Sequence, residues 1–125
     1  MAKVPRISDA EWEVMNVLWD DAPLGAADVA ERLAAGTGWT EATVKTLLGR
    51  LVRKGALTYS VDGRRYLYRP RVTRERCVRA ESRSFVERVL GGRGSRLLVH
   101  LVEQTPLSPG EIDELRRLLD DKEAS

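Results

Sequence analysis

Between Trp39 and Leu51 the apolar residues Val44, Leu47, Leu48 and Leu51 fall at i, i+3, i+4 and i+7, which gives a helix one face that has to be buried. Lys54-Gly55 ends that helix, and two short runs follow at once, Leu57 to Val61 and Arg65 to Arg69, on either side of Asp62-Gly63. Asp-Gly between alternating segments is a two-residue hairpin signal. Leu57, Tyr59 and Val61 alternate with Thr58 and Ser60, Tyr66 and Tyr68 flank Leu67, and Pro70 closes the second strand, as an edge allows. An isolated hairpin is marginal in water, so this one has to lean on a helical body.

The residues before it supply that body. Ser8-Asp9-Ala10-Glu11 is a capping box, and Ile7 and Trp12 are spaced as a hydrophobic staple. The helix it opens runs to about Trp19, with Trp12, Met15, Leu18 and Trp19 on one face. Asp20-Asp21-Ala22-Pro23 reads as a turn. A second helix starts near Gly25, buries Ala26, Val29, Ala30 and Leu33, and stops at Gly36-Thr37-Gly38. The third repeats the opening device, with Thr40 as cap and Trp39 and Val44 as staple. Three helices and a hairpin in this order predict a winged helix-turn-helix.

Charge places a function on that frame. The net charge is only +2, but it is unevenly spread. Residues 1–31 hold two basic side chains against seven acidic ones, whereas residues 39–71 hold eight against two. The positive field therefore sits over the third helix and the wing, where a polyanion would bind. At 100° per residue the side of the third helix opposite its apolar face presents Ala42, Lys45, Thr46, Gly49 and Arg53, with Thr43 and Arg50 flanking. Ala42 and Gly49 are small enough for a groove wall to come close. Ala42, Thr43, Lys45 and Thr46 are the candidate base-reading residues, the threonines by hydroxyl or methyl contact and the lysine by donation to guanine. Thr40, Arg50, Arg53, Lys54, Arg64 and Arg65 are the candidate phosphate contacts.

Past Pro70 the character changes, and residues 72–125 are balanced at ten basic and ten acidic side chains. Thr73 caps a predicted helix of about seventeen residues, with Val78, Phe85, Val86, Val89 and Leu90 as apolar positions, until Gly91-Gly92-Arg93-Gly94 breaks it. Ser95 to Val102 is a short apolar helix carrying Leu97, Leu98, Val99, Leu101 and Val102. Ser108-Pro109-Gly110-Glu111 is another capping box, stapled by Leu107 and Ile112, and its helix carries Ile112, Leu115, Leu118 and Leu119. Three short helices enclose little core alone, so a second copy of the chain is the expected cover. Phe85, Val89, Leu97, Leu98, Leu101, Val102, Ile112, Leu115 and Leu119 are its candidate dimerisation residues. The expected fold is thus mainly α with a small β-hairpin wing: a winged-helix domain over residues 1–71 and a helical dimerisation region over 72–125.

Nearly the whole chain, and its first seventy residues specifically, resembles the penicillinase-repressor family, which includes BlaI, MecI and the copper-responsive CopY. The matching elements are Ile7 to Met15 with Leu18-Trp19, and Trp39-Thr40 with Thr43 to Leu48 and Arg50-Leu51. Lys54-Gly55 and Gly63-Arg64 with Tyr66, Tyr68 and Pro70 continue the pattern. The resemblance implies a repressor, dimeric through its C-terminal helices, on a pseudo-palindromic double-stranded DNA operator that overlaps a promoter. Copper-responsive members end in a cysteine-rich metal motif, whereas this chain ends Asp120-Asp121-Lys122-Glu123-Ala124-Ser125. The β-lactam-responsive members are inactivated when an Asn-Phe bond in the dimerisation domain is cut, which implies a membrane-bound sensor metalloprotease as a partner. The ungapped match places His100-Leu101 there, so the cleavage site is not carried over.

Other chemistry finds no support in the residues. Cys77 is the single cysteine and His100 the single histidine, so no metal or cofactor site is expected. Cys77 reads as a small buried residue and His100 as a packed or interfacial one. No nucleophile triad, phosphate loop or carboxylate pair emerges, so an enzyme is not expected. With no apolar run of ~18 residues and no signal-peptide core, the expected setting is cytoplasmic, without membrane insertion. The competing reading is a protein-interaction adaptor whose basic wing docks an acidic partner.

Overall fold

A computed structural model describes residues 4–90 and 95–125. Three helices come first, α1 (Asp9–Asp21), α2 (Ala26–Thr37) and α3 (Glu41–Lys54), followed by an antiparallel hairpin of β1 (Leu57–Asp62) and β2 (Arg65–Pro70). Then α4 (Arg74–Phe85) runs into a π-helical turn over Val86–Leu90, and α5 (Ser95–Gln104) and α6 (Pro109–Ala124) complete the chain. The expected fold, mainly helical with a small hairpin wing, is the one found. The chain forms two units, Met1–Ser84 and Phe85–Ser125.

The helices begin where their caps dictate. Ser8 Oγ accepts from Glu11 N at 3.2 Å while Glu11 Oε1 accepts from Ser8 N at 2.8 Å. The same reciprocal pair joins Ser108 and Glu111, and Thr40 Oγ1 and Thr73 Oγ1 each accept the amide three residues on. Gly38 and Gly55 end α2 and α3 at φ of 70° and 83°, a left-handed conformation that costs glycine nothing.

The first unit is built on three helix faces. Val14, Met15 and Leu18 from α1, Val29 and Leu33 from α2, and Val44, Leu47, Leu48 and Leu51 from α3 are all buried. Each such side chain contributes about 1.5–3 kcal/mol of transfer free energy. Leu57 anchors β1 in this core, and Val72 and Cys77 bring the chain beyond the hairpin into it, so the unit continues past residue 71 to Ser84. Trp19 Nε1 donates to the Val72 carbonyl at 2.9 Å. The Arg74 guanidinium lies over the Trp19 ring at 5.3 Å and donates to Asp20 Oδ1 at 2.8 Å, clamping the start of α4 to α1.

The hairpin differs from expectation by one residue. Asp62 pairs with Arg65, so the turn residues are Gly63-Arg64 rather than Asp62-Gly63. Within this turn positive φ falls on Gly63 alone, at 65°, the type II′ requirement for glycine in the first central position. A register of Tyr59 opposite Tyr68 and Val61 opposite Tyr66 places all three tyrosines on one face. Tyr59 and Tyr66 stack at 4.5 Å, while Tyr68 packs on the core. Leu24, between α1 and α2, exchanges backbone hydrogen bonds with Tyr68 at 2.8 and 3.2 Å and acts as a one-residue third strand.

Glu11 is the buried charge of this unit, 1% exposed. Lys54 Nζ, at the end of α3, hydrogen-bonds to its Oε1 and donates to the Arg6 carbonyl at 2.9 Å. Burial pushes the Glu11 carboxyl up, but the Lys54 and Ser8 hydrogen bonds and the lysine charge outweigh it and hold the group below its ordinary value.

A folded-state pKa below the unfolded one stabilises the protein above the ordinary carboxylate range, and that stabilisation is lost as pH falls through the folded value. Glutamine at position 11 still accepts from Ser8 N but carries no charge. Glu11→Gln therefore costs about 2 kcal/mol at neutral pH, the worth of a hydrogen bond to a charged group, and the gap from wild type narrows in acid. Chemical denaturation at a series of pH values reads both, and a gap constant down to pH ~3 would refute the assignment.

Candidate nucleic-acid interface

Burial of Val44, Leu47, Leu48 and Leu51 fixes the rotation of α3 and turns its other side outward. Ala42, Thr43, Lys45, Thr46, Arg50 and Arg53 are all exposed there. Thr40 Oγ1 lies 3.2 Å from Thr43 Oγ1 and caps the helix, so the two hydroxyls share a hydrogen bond at its start. Thr46 Oγ1 donates to the Ala42 carbonyl at 3.1 Å, which commits its proton and leaves its methyl available to a thymine. Lys45 Nζ lies 3.9 Å from Glu41 Oε2, an exposed i,i+4 pair that holds the lysine weakly.

The charged residues among the expected phosphate contacts divide into three groups. Arg50, Arg53 and Arg64 have no hydrogen bond or ion pair among the described residues, so their charge is uncompensated. Arg65 is shared between Asp28 at 3.6 Å and Asp62 at 3.9 Å, pairs that are exposed and weak. Lys54 stands apart, because its ammonium is engaged by Glu11 and the Arg6 carbonyl and serves the fold.

α3 and the wing enclose a groove of about 490 Å³ lined by Gly25 and Asp28, Glu41 and Lys45, and Arg64, Arg65, Tyr66 and Tyr68. Sequence reasoning placed Arg64 and Arg65 on the wing but missed Asp28, which both caps α2 through Gly25 N at 3.1 Å and steadies Arg65. Only its position three residues after Gly25 signals the cap, and the link to Arg65 has no local signal.

The second unit has no fully buried residue among those described. Of the expected dimerisation residues, Phe85, Leu98, Leu101, Val102, Ile112 and Leu119 are exposed, Leu98 at 52% and Leu119 at 62%. Leu97 and Leu115 are half-buried. The Val89 side chain and the glycine-rich break at residues 91–94 lie outside the described residues. His100 is exposed on α5 rather than packed within the chain, since α5 has no internal cover at that position. Cys77 is buried as expected, and burial pushes its thiol up, against a smaller opposing effect of Arg76. Among the described residues no helix is long and apolar enough to cross a membrane, and no group of His, Cys, Asp and Glu is placed to hold a metal ion.

A helical body presenting a cationic helix beside a hairpin defines the winged-helix class. The penicillinase repressor family model matches residues 7–121, so the chain belongs to that family, whose members are transcriptional repressors rather than enzymes. It is 35% identical to the penicillinase repressor of Bacillus licheniformis over 121 residues, 97% of this chain and 94% of that protein. It is 33% identical over 120 residues to the methicillin resistance regulatory protein MecI of Staphylococcus aureus (strain N315), covering 96% and 98% of the two. A solution structure of monomeric B. licheniformis BlaI in complex with the blaP half-operator aligns with a TM-score of 0.52 and 39% identity, covering 60% of this chain and 92% of that one.

Gly49 tests whether the outward face of α3 is shaped by the fold. A Cβ built there meets only Arg53 Nη1, at an ordinary 3.5 Å. Since mid-helix glycine costs about 1 kcal/mol relative to alanine, Gly49→Ala raises stability by about that amount in chemical denaturation. A loss of stability would mean that the fold itself requires the glycine.

Proposed function

We propose that this protein is a homodimeric transcriptional repressor that occupies a pseudo-palindromic operator through α3 and the wing. The observation that carries the reading is the outward face of α3, where small Ala42 and Gly49 lie among Arg50, Arg53 and Lys45. Family membership and the half-operator complex of the related BlaI support it. Each subunit inserts α3 into one of two major-groove segments about a helical turn apart, a spacing fixed by the dimer's two-fold axis. Ala42, Thr43, Lys45 and Thr46 read bases, while Thr40, Arg50, Arg53, Arg64 and Arg65 fix the register on phosphates. Gly49→Ala, although more stable, binds the operator more weakly because the added methyl holds the helix off the groove wall.

Of the expected dimerisation region, residues 72–125, the part that forms the dimer contact is the second unit beyond Ser84, since Val72 and Cys77 are buried in the first. The exposed apolar side chains of α5 and α6 support this, because a second copy gives them the core that one copy lacks. Two weak half-site contacts become one strong one when linked. Cutting or loosening this region, by a membrane-bound sensor protease or another upstream signal, then releases the operator without touching the reading head.

Selection from a random duplex library at near-physiological salt is the first test. Enrichment of a two-fold symmetric site is expected, and binding without enrichment would overturn sequence-specific repression. On the selected duplex, Arg50→Ala weakens binding to all sequences and flattens the salt dependence by about one unit per subunit, whereas Thr46→Ala changes the preferred bases. If both variants alter only general affinity, α3 is not the reading helix. Leu98→Asp leaves a folded first unit but sediments as a monomer with poor operator affinity. A sedimentation profile unchanged from wild type would refute the placement of the dimer contact on α5.

A further inference from the structure

The N-terminal arm contains a cation that the phosphate assignment leaves out. Arg6 is exposed and has no ion pair among the described residues. Its backbone is fixed, because its carbonyl accepts from Lys54 Nζ at 2.9 Å and Ile7, the next residue, is buried in the core. Position follows from the turn of α3. At 100° per residue Lys54 and Lys45 fall on opposite flanks of the helix, and Arg50 lies one turn before Lys54 on the same flank. Lys45 borders the groove shared with Arg64 and Arg65 of the wing. The arm therefore meets α3 at its last residue, on the flank that the wing does not cover, where Arg6 also borders a cleft with Trp12 of α1 and Cys77 and Glu81 of α4.

A helix seated in a major groove has a phosphate backbone on each side. The wing serves one, and on the other side Arg50 is the assigned contact. We propose that Arg6 is a further DNA phosphate contact, on the flank of α3 opposite the wing, with Lys54 as the positioning residue that holds the arm against the recognition helix. The proposal rests on the DNA-binding reading above. It gives Lys54 a role at the interface without any contact of its own, and it explains how a buried structural pair and an exposed cation come to share one lysine.

The test titrates the full-length protein with the duplex selected from the random library, across ~50–200 mM salt. Each phosphate contact contributes about 0.9 to the slope of log affinity against log salt, so Arg6→Ala flattens the slope by about 0.9 per bound subunit. Wild type then loses about 3.5-fold more affinity per subunit than the variant over that interval. Arg6→Lys retains the wild-type slope, and base preference is the same in all three proteins. Neutral methylphosphonates placed singly along each strand locate the contact: one position weakens wild type and leaves Arg6→Ala unaffected. A wild-type slope in Arg6→Ala, with the duplex still bound, overturns the contact and leaves the DNA-binding reading standing. If wild type retains no duplex, both fall. The side chain is exposed and its loss opens no cavity, and equal thermal transitions of the two proteins check that the fold is kept.

Discussion

The rotation of α3 about its own axis is the constraint on which the rest depends. Four side chains set it, Val44, Leu47, Leu48 and Leu51, each at most 5% exposed. A turn of the helix by one residue would bring Lys45 towards the core and expose a leucine, a change of several kcal/mol on transfer terms alone. The second restraint is polar. The Glu11 carboxylate sits where the α1 cap, the arm and the end of α3 meet, and only Lys54 reaches it from α3. A buried ion pair is weak evidence for stability as such. Here it supplies direction, because apolar packing tolerates small slides along a helix axis and a hydrogen-bonded charge does not.

Much of this was legible in the sequence, and the reason is local. Caps, staples and the 3.6-residue period are written within a few positions of one another, so Ser8-Glu11, Thr40-Thr43 and Ser108-Glu111 could be read directly. The hairpin was legible to within one residue, because Asp-Gly and Gly-Arg are both acceptable two-residue turns and only the pairing of Asp62 with Arg65 decides between them. The Leu24–Tyr68 bridge, the Trp19–Val72 hydrogen bond and the Asp28–Arg65 pair were not legible. Each joins single residues far apart in the chain, and no period announces it. Lys54 shows the same limit for the site: its charge was correctly noticed and its partner, forty-three residues away, was invisible.

The two units differ in how they satisfy the hydrophobic effect. The first encloses its own core, with nine of its larger side chains almost fully out of water. The second puts a full capping box on α6 and strongly apolar residues on α5, yet buries none of the described ones completely. Good local structure with no interior is the signature of an element meant to be completed from outside. In the proposed dimer this asymmetry is functional: the reading head keeps its fold whatever happens to the second unit, and affinity for a two-part site depends on the weaker unit.

Charge follows the same division of labour. Most acidic groups on the first unit are tied to particular cations: Asp20 to Arg74, Asp21 to Arg32, Asp28 to Arg65 and Glu11 to Lys54. Among the described residues, the cations without an ion pair include Arg50 and Arg53 on α3, Arg64 at the wing tip and Arg6 in the arm, whereas the acids without one, Asp9, Glu13 and Glu31, lie on α1 and α2. A chain of net charge +2 can therefore present a field that its total charge does not suggest. Such a field is screened within about 8–10 Å at physiological salt, so it acts on a polyanion already close to α3. Weak general attraction and strong attraction at contact suit the proposed dimer, which has to leave non-specific DNA readily and hold a site only when both halves are engaged.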